Sequence, residues 1–541
     1  MHLSKPTGRE SSFASKKISY IATLVLLMSV VLAACGDNTA TTAPAATTAP
    51  AAATTAAATT AAAATTAAAA TTAAATTAAA TTAAATTPAA TTPAATTAAA
   101  SSTTPPPTTV ISTGEGCASG ATKITWYIGL GAGADADVIP KEQAWADKYN
   151  KSQTEACVIM QVVHNPESYD TLKAQLAAGQ GPDIVGPVGK AGRASFQGAW
   201  TDIAPLAQAA GVDLSKYDPA LLDFTKDEGT LVGIPFALFP SFIYYNKDLF
   251  DEAKLPYPPH KVGEKYDGKD WNLDTFTALA QELTVDKSGN AATDANFDAK
   301  NITQFGFFDG PTDARGVAVL FGGGLPYDPA DQKTAKIPDN WRQAWTWYYN
   351  SIWKLHISPN NDYQQSDLLA KGNEFKSGHV AMQASHTWYT CCFDIAKQNW
   401  DIAVMPTING KITAKLHGDT FAILKSSKNQ KVAFDVLSKM VVDKDLYQIY
   451  GGMPANQADR AEFFTTLNSR LGNNKVDWSV AEEMLKYPDL PNHESWLPNI
   501  IKANDAFNKF RTLMDQTPDL NINSEIDKLQ SQLDALFKAA S

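Results

Sequence analysis

Chemistry in this chain of 541 residues concentrates in a few aromatic and acidic positions. His386, Trp388 and Tyr389 stand together in EFKSGHVAMQASHTWYTCCFD, residues 374–394, directly after a strand-like run. Trp496 sits in ESWLPNI, and Phe239 in GIPFALFPSFIYYNKDLFDEAKL, residues 233–255. Asp309 ends QFGFFDG ahead of the glycine-rich FGGGLPYDP, and Asp419 lies in HGDT. Aromatic faces suit apolar C–H surface, while carboxylates and ring nitrogens suit hydroxyls. That mixture fits a polyhydroxylated solute. It also fits a quaternary ammonium or polyamine cation. Glycoside hydrolysis would need two carboxylates at a fixed separation, and no Ser or Cys nucleophile motif accompanies these residues. A phosphate loop of the type G-x-x-x-x-G-K-[ST] is absent from the sequence, which argues against nucleotide binding. No C-x-x-C or His/Cys ligand spacing appears either, so neither a metal nor a cofactor is expected.

The elements that must position these residues follow from periodicity. KITWYIGL reads as a strand, a helix runs through Trp145 and Tyr149, and VIMQVV is a second strand. Tyr169, Leu172, Leu176 and Ala177 share one helical face before LAAGQGPDIV. Strand–helix–strand–helix–strand implies a parallel sheet with helical crossovers. In residues 233–255 the apolar half carries Pro235 and Pro240, which favour an edge or crossover position. Its second half, with Leu249, Phe250 and Ala253, is a short amphipathic helix stopped by Pro256. Asn272 is placed to cap a helix with Phe276, Leu279, Ala280 and Leu283 on one face. Trp341, Trp345, Trp347 and Trp353 belong to one aromatic helix and are read as core. Ile526, Leu529, Leu533, Leu536 and Phe537 mark a closing amphipathic helix.

The N-terminus sets the compartment. Lys5, Arg9, Lys16 and Lys17 precede an apolar run from Ile18 to Ala34 that ends in L-A-A-C. This predicts a signal peptide over 1–34, and the L-A-A-C sequence resembles a lipobox with Cys35 as the lipidated residue. Two acyl chains hold a protein stably at a membrane. Residues 35–115 are then a lipidated N-terminus and a disordered Ala/Thr/Pro tether, because no part of it offers an apolar face large enough to offset chain entropy. Acidic residues (55) outnumber basic ones (44), which argues against a nucleic-acid partner. Cys117 and Cys157 precede two strands. If those strands are neighbours, a disulfide can join them. Cys391 and Cys392 are adjacent, as a vicinal disulfide or as two buried thiols.

Several of these segments, in order, carry a resemblance. YYNKDLF with its acidic helix, LAAGQGPDIV, WNLDTFTALAQELT, the pair NITQFGFFDG and FGGGLPYDP, the G-x-x-A-M…W pattern of residues 378–388, and GGMPANQ (451–457) resemble the family 1 extracellular solute-binding proteins. These are maltose-binding-protein-like receptors of ATP-binding cassette (ABC) importers. The resemblance covers about residues 120–540. It implies an α/β, two-lobed periplasmic-binding-protein-like fold of type II. Each lobe would be a mostly parallel sheet flanked by helices, with the ligand cleft between them. It implies lobe 1 as 116–239 plus 405–450, and lobe 2 as 240–404 plus 451–541. Trp388 and Trp496 then become stacking platforms beside Tyr389 and His386, Asp309 and Asp419 become hydroxyl acceptors, and Phe239 becomes a wall of the cleft. The implied protein is a non-catalytic, monomeric receptor, lipid-anchored on the extracytoplasmic face. It would bind a mono- or oligosaccharide by hinge closure and deliver it to the importer's transmembrane subunits. An apolar residue at Phe239, where the family's best-known sugar receptors often carry a carboxylate, argues against a maltodextrin preference.

Overall fold

A computed structural model describes residues 109–540 except 135, 137, 165–166, 311–312, 371, 392–397 and 472–475. The expected signal peptide, Cys35, most of the tether and Cys392 lie outside the described residues, as does the side chain of Cys391. Along the chain come β1 (Thr109–Ile111), β2 (Thr122–Ile128), β3 (Ala156–Val163) and β4 (Ile184–Val188). A hairpin of β5 (Lys226–Asp227) and β6 (Thr230–Leu231) precedes β7 (Gly233–Pro240) and β8 (Phe242–Asn246). A second hairpin, β9 (Lys265–Tyr266) with β10 (Lys269–Asp270), is followed by β11 (Val285–Asp286), β12 (Ile302–Asp309), β13 (Val380–Ser385) and β14 (Trp400–Ala403). β15 (Leu416–Ile423) and β16 (Met453–Pro454) complete the strands.

Two sheets organise the molecule. The first has the order β1-β3-β2-β4-β15-β7-β16, and the second β11-β12-β13-β8-β14. This is the α/β two-sheet architecture expected, but neither sheet is mostly parallel. Only β2–β3, β2–β4 and β12–β13 run parallel. The reason is the crossing of the chain between the sheets. Strands of βαβ units all start at the far side of their sheet and end at the cleft. A strand arriving from the other sheet starts at the cleft, so β15 lies antiparallel to β4 and β7, and β8 antiparallel to β13 and β14.

Several boundaries differ from expectation. Thr109–Ile111, expected in the tether, pairs antiparallel with β3, and Ser112 Oγ accepts from Met160 N at 2.9 Å. Met453 and Pro454, expected on the second lobe, pair with Leu238 and Ala237 of the first sheet. That approach needs Gly452, where an added Cβ would meet the Ala237 Cβ at 2.4 Å. Residues 405–414, expected on the first lobe, instead contact second-lobe segments. Thr407 bridges Asn272, and Ala414 N donates to Tyr487 O at 2.8 Å. Of the two positions expected for β7, edge or crossover, it takes the crossover: β15 and β16 flank it, and Ser241 leads from it into β8 of the second sheet. Pro235 is tolerated because it lies beside an irregularity in the β15 register.

The helices form where the pattern put them. Ile139–Ser152 buries Trp145, Lys247–Ala253 buries Phe250 and is capped by the Asn246 side chain, and Asn272 caps Leu273–Glu282. Asp339–Trp353 buries Trp341 and Trp345 completely, and Ile522–Lys538 buries Ile526, Leu529, Leu533 and Phe537. A disulfide joins Cys117 to Cys157 across the neighbouring β2 and β3 segments.

The crossings between the sheets meet at one point. Ser241 links β7 to β8, and Lys415 precedes β15. Ser241 N donates to Lys415 O, and Lys415 N donates to Ser241 Oγ, both at 2.8 Å. The Lys415 ammonium is fully buried and lies 2.8 Å from Asp309 Oδ1 at the end of β12.

Candidate ligand-binding site

Strand ends deliver the site. β13 runs out at Ser385, and His386, Thr387 and Trp388 follow immediately. Gly378, with a φ of 80°, makes the left-handed turn that starts this strand. Tyr244 Oη donates to His386 O at 2.8 Å and fixes the segment to the second sheet. From the first sheet, β15 starts at the crossing and presents His417 and Asp419, which share one face of the strand because side chains alternate. His417 lies opposite Phe239 of β7.

Aromatic and imidazole rings from both sheets meet here. His386 stacks on Trp388 with centroids 4.0 Å apart and planes at 22°. The His417 ring stands edge-on to both, at 4.7 Å from His386 and 4.8 Å from Trp388. Phe239 lies 5.2 Å from Trp388, and His493 lies 5.0 Å from His417. His386 is buried, whereas Trp388 keeps part of its surface open.

Acidic groups complete the cluster. Glu494 Oε1 lies 3.4 Å from His417 Nδ1 and 4.0 Å from His493 Nε2. Asp489 Oδ2 holds His493 Nδ1 at 2.7 Å, and Asp489 Oδ1 accepts from Leu416 N at 2.8 Å. Burial raises the Glu494 carboxyl to about 8 and lowers the His417 imidazole to about 4. Burial thus favours the uncharged form of both groups across their 3.4 Å contact. Burial, with His417 and Lys415 nearby, pushes His386 well below the usual imidazole range. Asp419 keeps part of its surface open, yet the protein around it raises its carboxyl to about 7, against the pull of Arg193. Among the described residues, His386 Nε2, His417 Nε2 and Glu494 Oε2 have no hydrogen-bond partner. Buried polar atoms are rarely left so.

The expected residues divide into two groups. His386, Trp388, Phe239 and Asp419 lie at this junction of the sheets. Tyr389 turns into the second lobe, where its hydroxyl donates to Asn373 Oδ1 at 2.5 Å and its ring meets Tyr244. Asp309 ends β12, and Lys415 takes its Oδ1, so one oxygen is already committed. The Trp496 ring packs edge-on to Tyr327 at 6.4 Å. His417, His493, Glu494 and Asp489 were not singled out from the sequence. His417 and His493 are 76 residues apart, and only the adjacency of His493-Glu494 to Trp496 hinted at them. A separate cavity of about 480 Å³ lies between residues 262–274 and 404–412, and none of the expected residues lines it.

The residue order, the two sheets and the crossings at Ser241 and Lys415 agree with a match along the chain. Residues 144–458 fit the model of the family described as Bacterial extracellular solute-binding protein. The chain belongs to that family. Solved solute-binding proteins share the two-lobed fold. An ABC substrate-binding protein from Listeria monocytogenes in complex with cycloalternan is 20% identical, with a TM-score of 0.55 over 76% of this chain and 99% of that one. The sugar-binding protein MalE from Xanthomonas citri is 17% identical, with a TM-score of 0.58 over 77% and 98%. The sn-glycerol-3-phosphate-binding periplasmic protein UgpB of Brucella abortus is 28% identical over 142 residues, 25% of this chain. The chain spans only 31% of the length of that curated relative. No helix among the described residues is long and apolar enough to cross a membrane.

Proposed function

We propose that this solute-binding protein is a receptor anchored at the cell surface through Cys35, which closes its two lobes on a carbohydrate and delivers it to an ABC importer. One lobe is built on the first sheet, with β15 and β16 in it, and the other on the second sheet with residues 405–414 against it, and they turn about Ser241 and Lys415. The carrying observation is the half-buried Trp388 beside unpartnered imidazole and carboxyl atoms, the imidazoles coming from both sheets. A sugar's C–H face suits the indole, and its hydroxyls both donate and accept, as uncharged imidazoles and carboxyls require. Relatives of the same fold carry cycloalternan or are named as sugar-binding, which extends the reading to this chain. Closure places ligand contacts from both lobes on one molecule, and the closed form is what a permease distinguishes.

A thermal-shift and calorimetric screen of sugars, polyols, polyamines and betaines tests this. The expected result is a selective shift with one carbohydrate, insensitive to salt and lost in Trp388→Ala. Binding only of cations, weakening as salt rises, would replace the sugar with a charged solute. Turnover of an oligosaccharide would make the protein a hydrolase instead.

A further inference from the structure

Three metal-ligating side chains converge where the two lobes meet. His417 comes from β15, and His493 and Glu494 come from the segment before the helix Ile500–Gln516. One ligand atom from each lies within 4.8 Å of the others. Ligands about 2.0–2.1 Å from a tetrahedral zinc stand about 3.4 Å apart, close to the 3.4 Å and 4.0 Å that separate Glu494 Oε1 from His417 Nδ1 and His493 Nε2.

The surroundings are those of a prepared metal site. Asp489 accepts from His493 Nδ1, which leaves the Nε2 lone pair facing Glu494. A carboxylate that fixes the far nitrogen of a histidine is the usual outer support of a metal ligand. Asp489 is itself held by Leu416 N, Asn492 Nδ2 and His493 N. Because Leu416 adjoins His417, this bracket ties both halves of the site together at the hinge. The second, independent sign is the carboxyl group itself: Glu494 is 97% buried, with Oε2 lacking any partner among the described residues.

We propose that His417, His493 and Glu494 form a binding site for a zinc-class divalent cation, with its remaining coordination position open toward the ligand cleft beside Trp388. Two imidazoles with one carboxylate favour zinc and its neighbours over magnesium or calcium, which prefer all-oxygen shells. Three protein ligands leave a position for water or a donor atom of the solute. The site does not depend on which solute the cleft takes.

The test is a titration of zinc into the untagged, chelator-treated protein by calorimetry, with thermal melting in parallel. One equivalent of zinc is expected to bind and to raise the melting temperature. His417→Ala, His493→Asn and Glu494→Gln should each weaken binding at least tenfold, while the exposed His379→Ala leaves it unchanged. Cobalt(II) provides a readout that needs no variant. A strong visible absorption band, as four-coordinate cobalt gives, supports the site, and the weak spectrum of hydrated cobalt with no zinc-dependent melting shift overturns it. Equal zinc affinity in wild type and all three variants would overturn it as well. Failure of every sugar in the solute screen would leave this result untouched, so the two readings fail separately.

Discussion

Two of the buried polar clusters in this protein are built to opposite rules. Behind the second sheet, Arg511 Nε lies 3.0 Å from Asp515 Oδ2, Tyr348 Oη donates to Asp515 Oδ1 at 2.6 Å, and the guanidinium sits 4.4 Å over the Tyr348 ring. Donors there meet acceptors within the fold. At the junction of the lobes, His386, His417 and Glu494 each keep an unpartnered polar atom. The contrast teaches how to separate structure from function in a buried site. A closed network spends its hydrogen bonds on the fold. An open one holds polar edges at a desolvation cost that only a bound molecule removes.

Breaking the closed cluster should give the largest effect. Arg511→Met removes one partner of a buried charged pair and is expected to lower unfolding free energy by about 3–5 kcal/mol in urea denaturation. Affinity per folded molecule should stay at the wild-type value. Glu374 lies near this cluster, and its carboxyl is raised from 4.5 to about 7 by burial, partly opposed by Arg511. The native state therefore holds a proton there that the unfolded chain has released. Its contribution favours folding below about pH 4.5 and fades as pH rises through about 7. Glu374→Gln should remove that slope, so wild type loses up to roughly 3 kcal/mol relative to the variant across the window. Parallel pH–stability curves for the two proteins would contradict this.

The open cluster should respond in the other observable. Trp388→Ala is expected to weaken carbohydrate binding ten- to a hundredfold, about 1.4–2.7 kcal/mol, while stability changes by under about 1 kcal/mol. An equal loss of stability would move Trp388 into the first class. The smallest effect belongs to a pair that is neither buried nor open to ligand. Lys148 and Asp445 meet at 2.7 Å but are largely exposed. Lys148→Ala should change neither melting nor binding measurably.

Part of this arrangement is legible in the sequence, and the rest is not, for physical reasons. The position of Trp388 and His386 at the junction of the sheets is legible because a strand pattern ends just before them, and strand ends of an α/β sheet lie on its cleft side. Tyr389, one residue later, turns the other way, and no periodicity over so short a segment distinguishes the two. Asp309 looked available because Lys415, its partner, is 106 residues away. His417 and His493 carried no spacing signal, since their proximity is made by β15 entering the first sheet from the hinge. The mostly parallel sheets were an error of the same kind. The βαβ pattern was read correctly for β2, β3 and β4, but strands returning across the hinge carry no mark of their direction.

What the sequence determined by itself was local or ordered along the chain. It set the secondary elements, the amphipathic faces, the crossing at residues 233–255 and the series of segments that marks a solute-binding protein, because each depends on residues within one turn, one strand or one motif. Tertiary structure alone decided strand direction, the pairing of Asp309 with Lys415, and the meeting of His417, His493 and Glu494. Those depend on where distant segments arrive after the lobes have folded, and the approach of groups far apart in sequence is fixed by packing rather than by spacing.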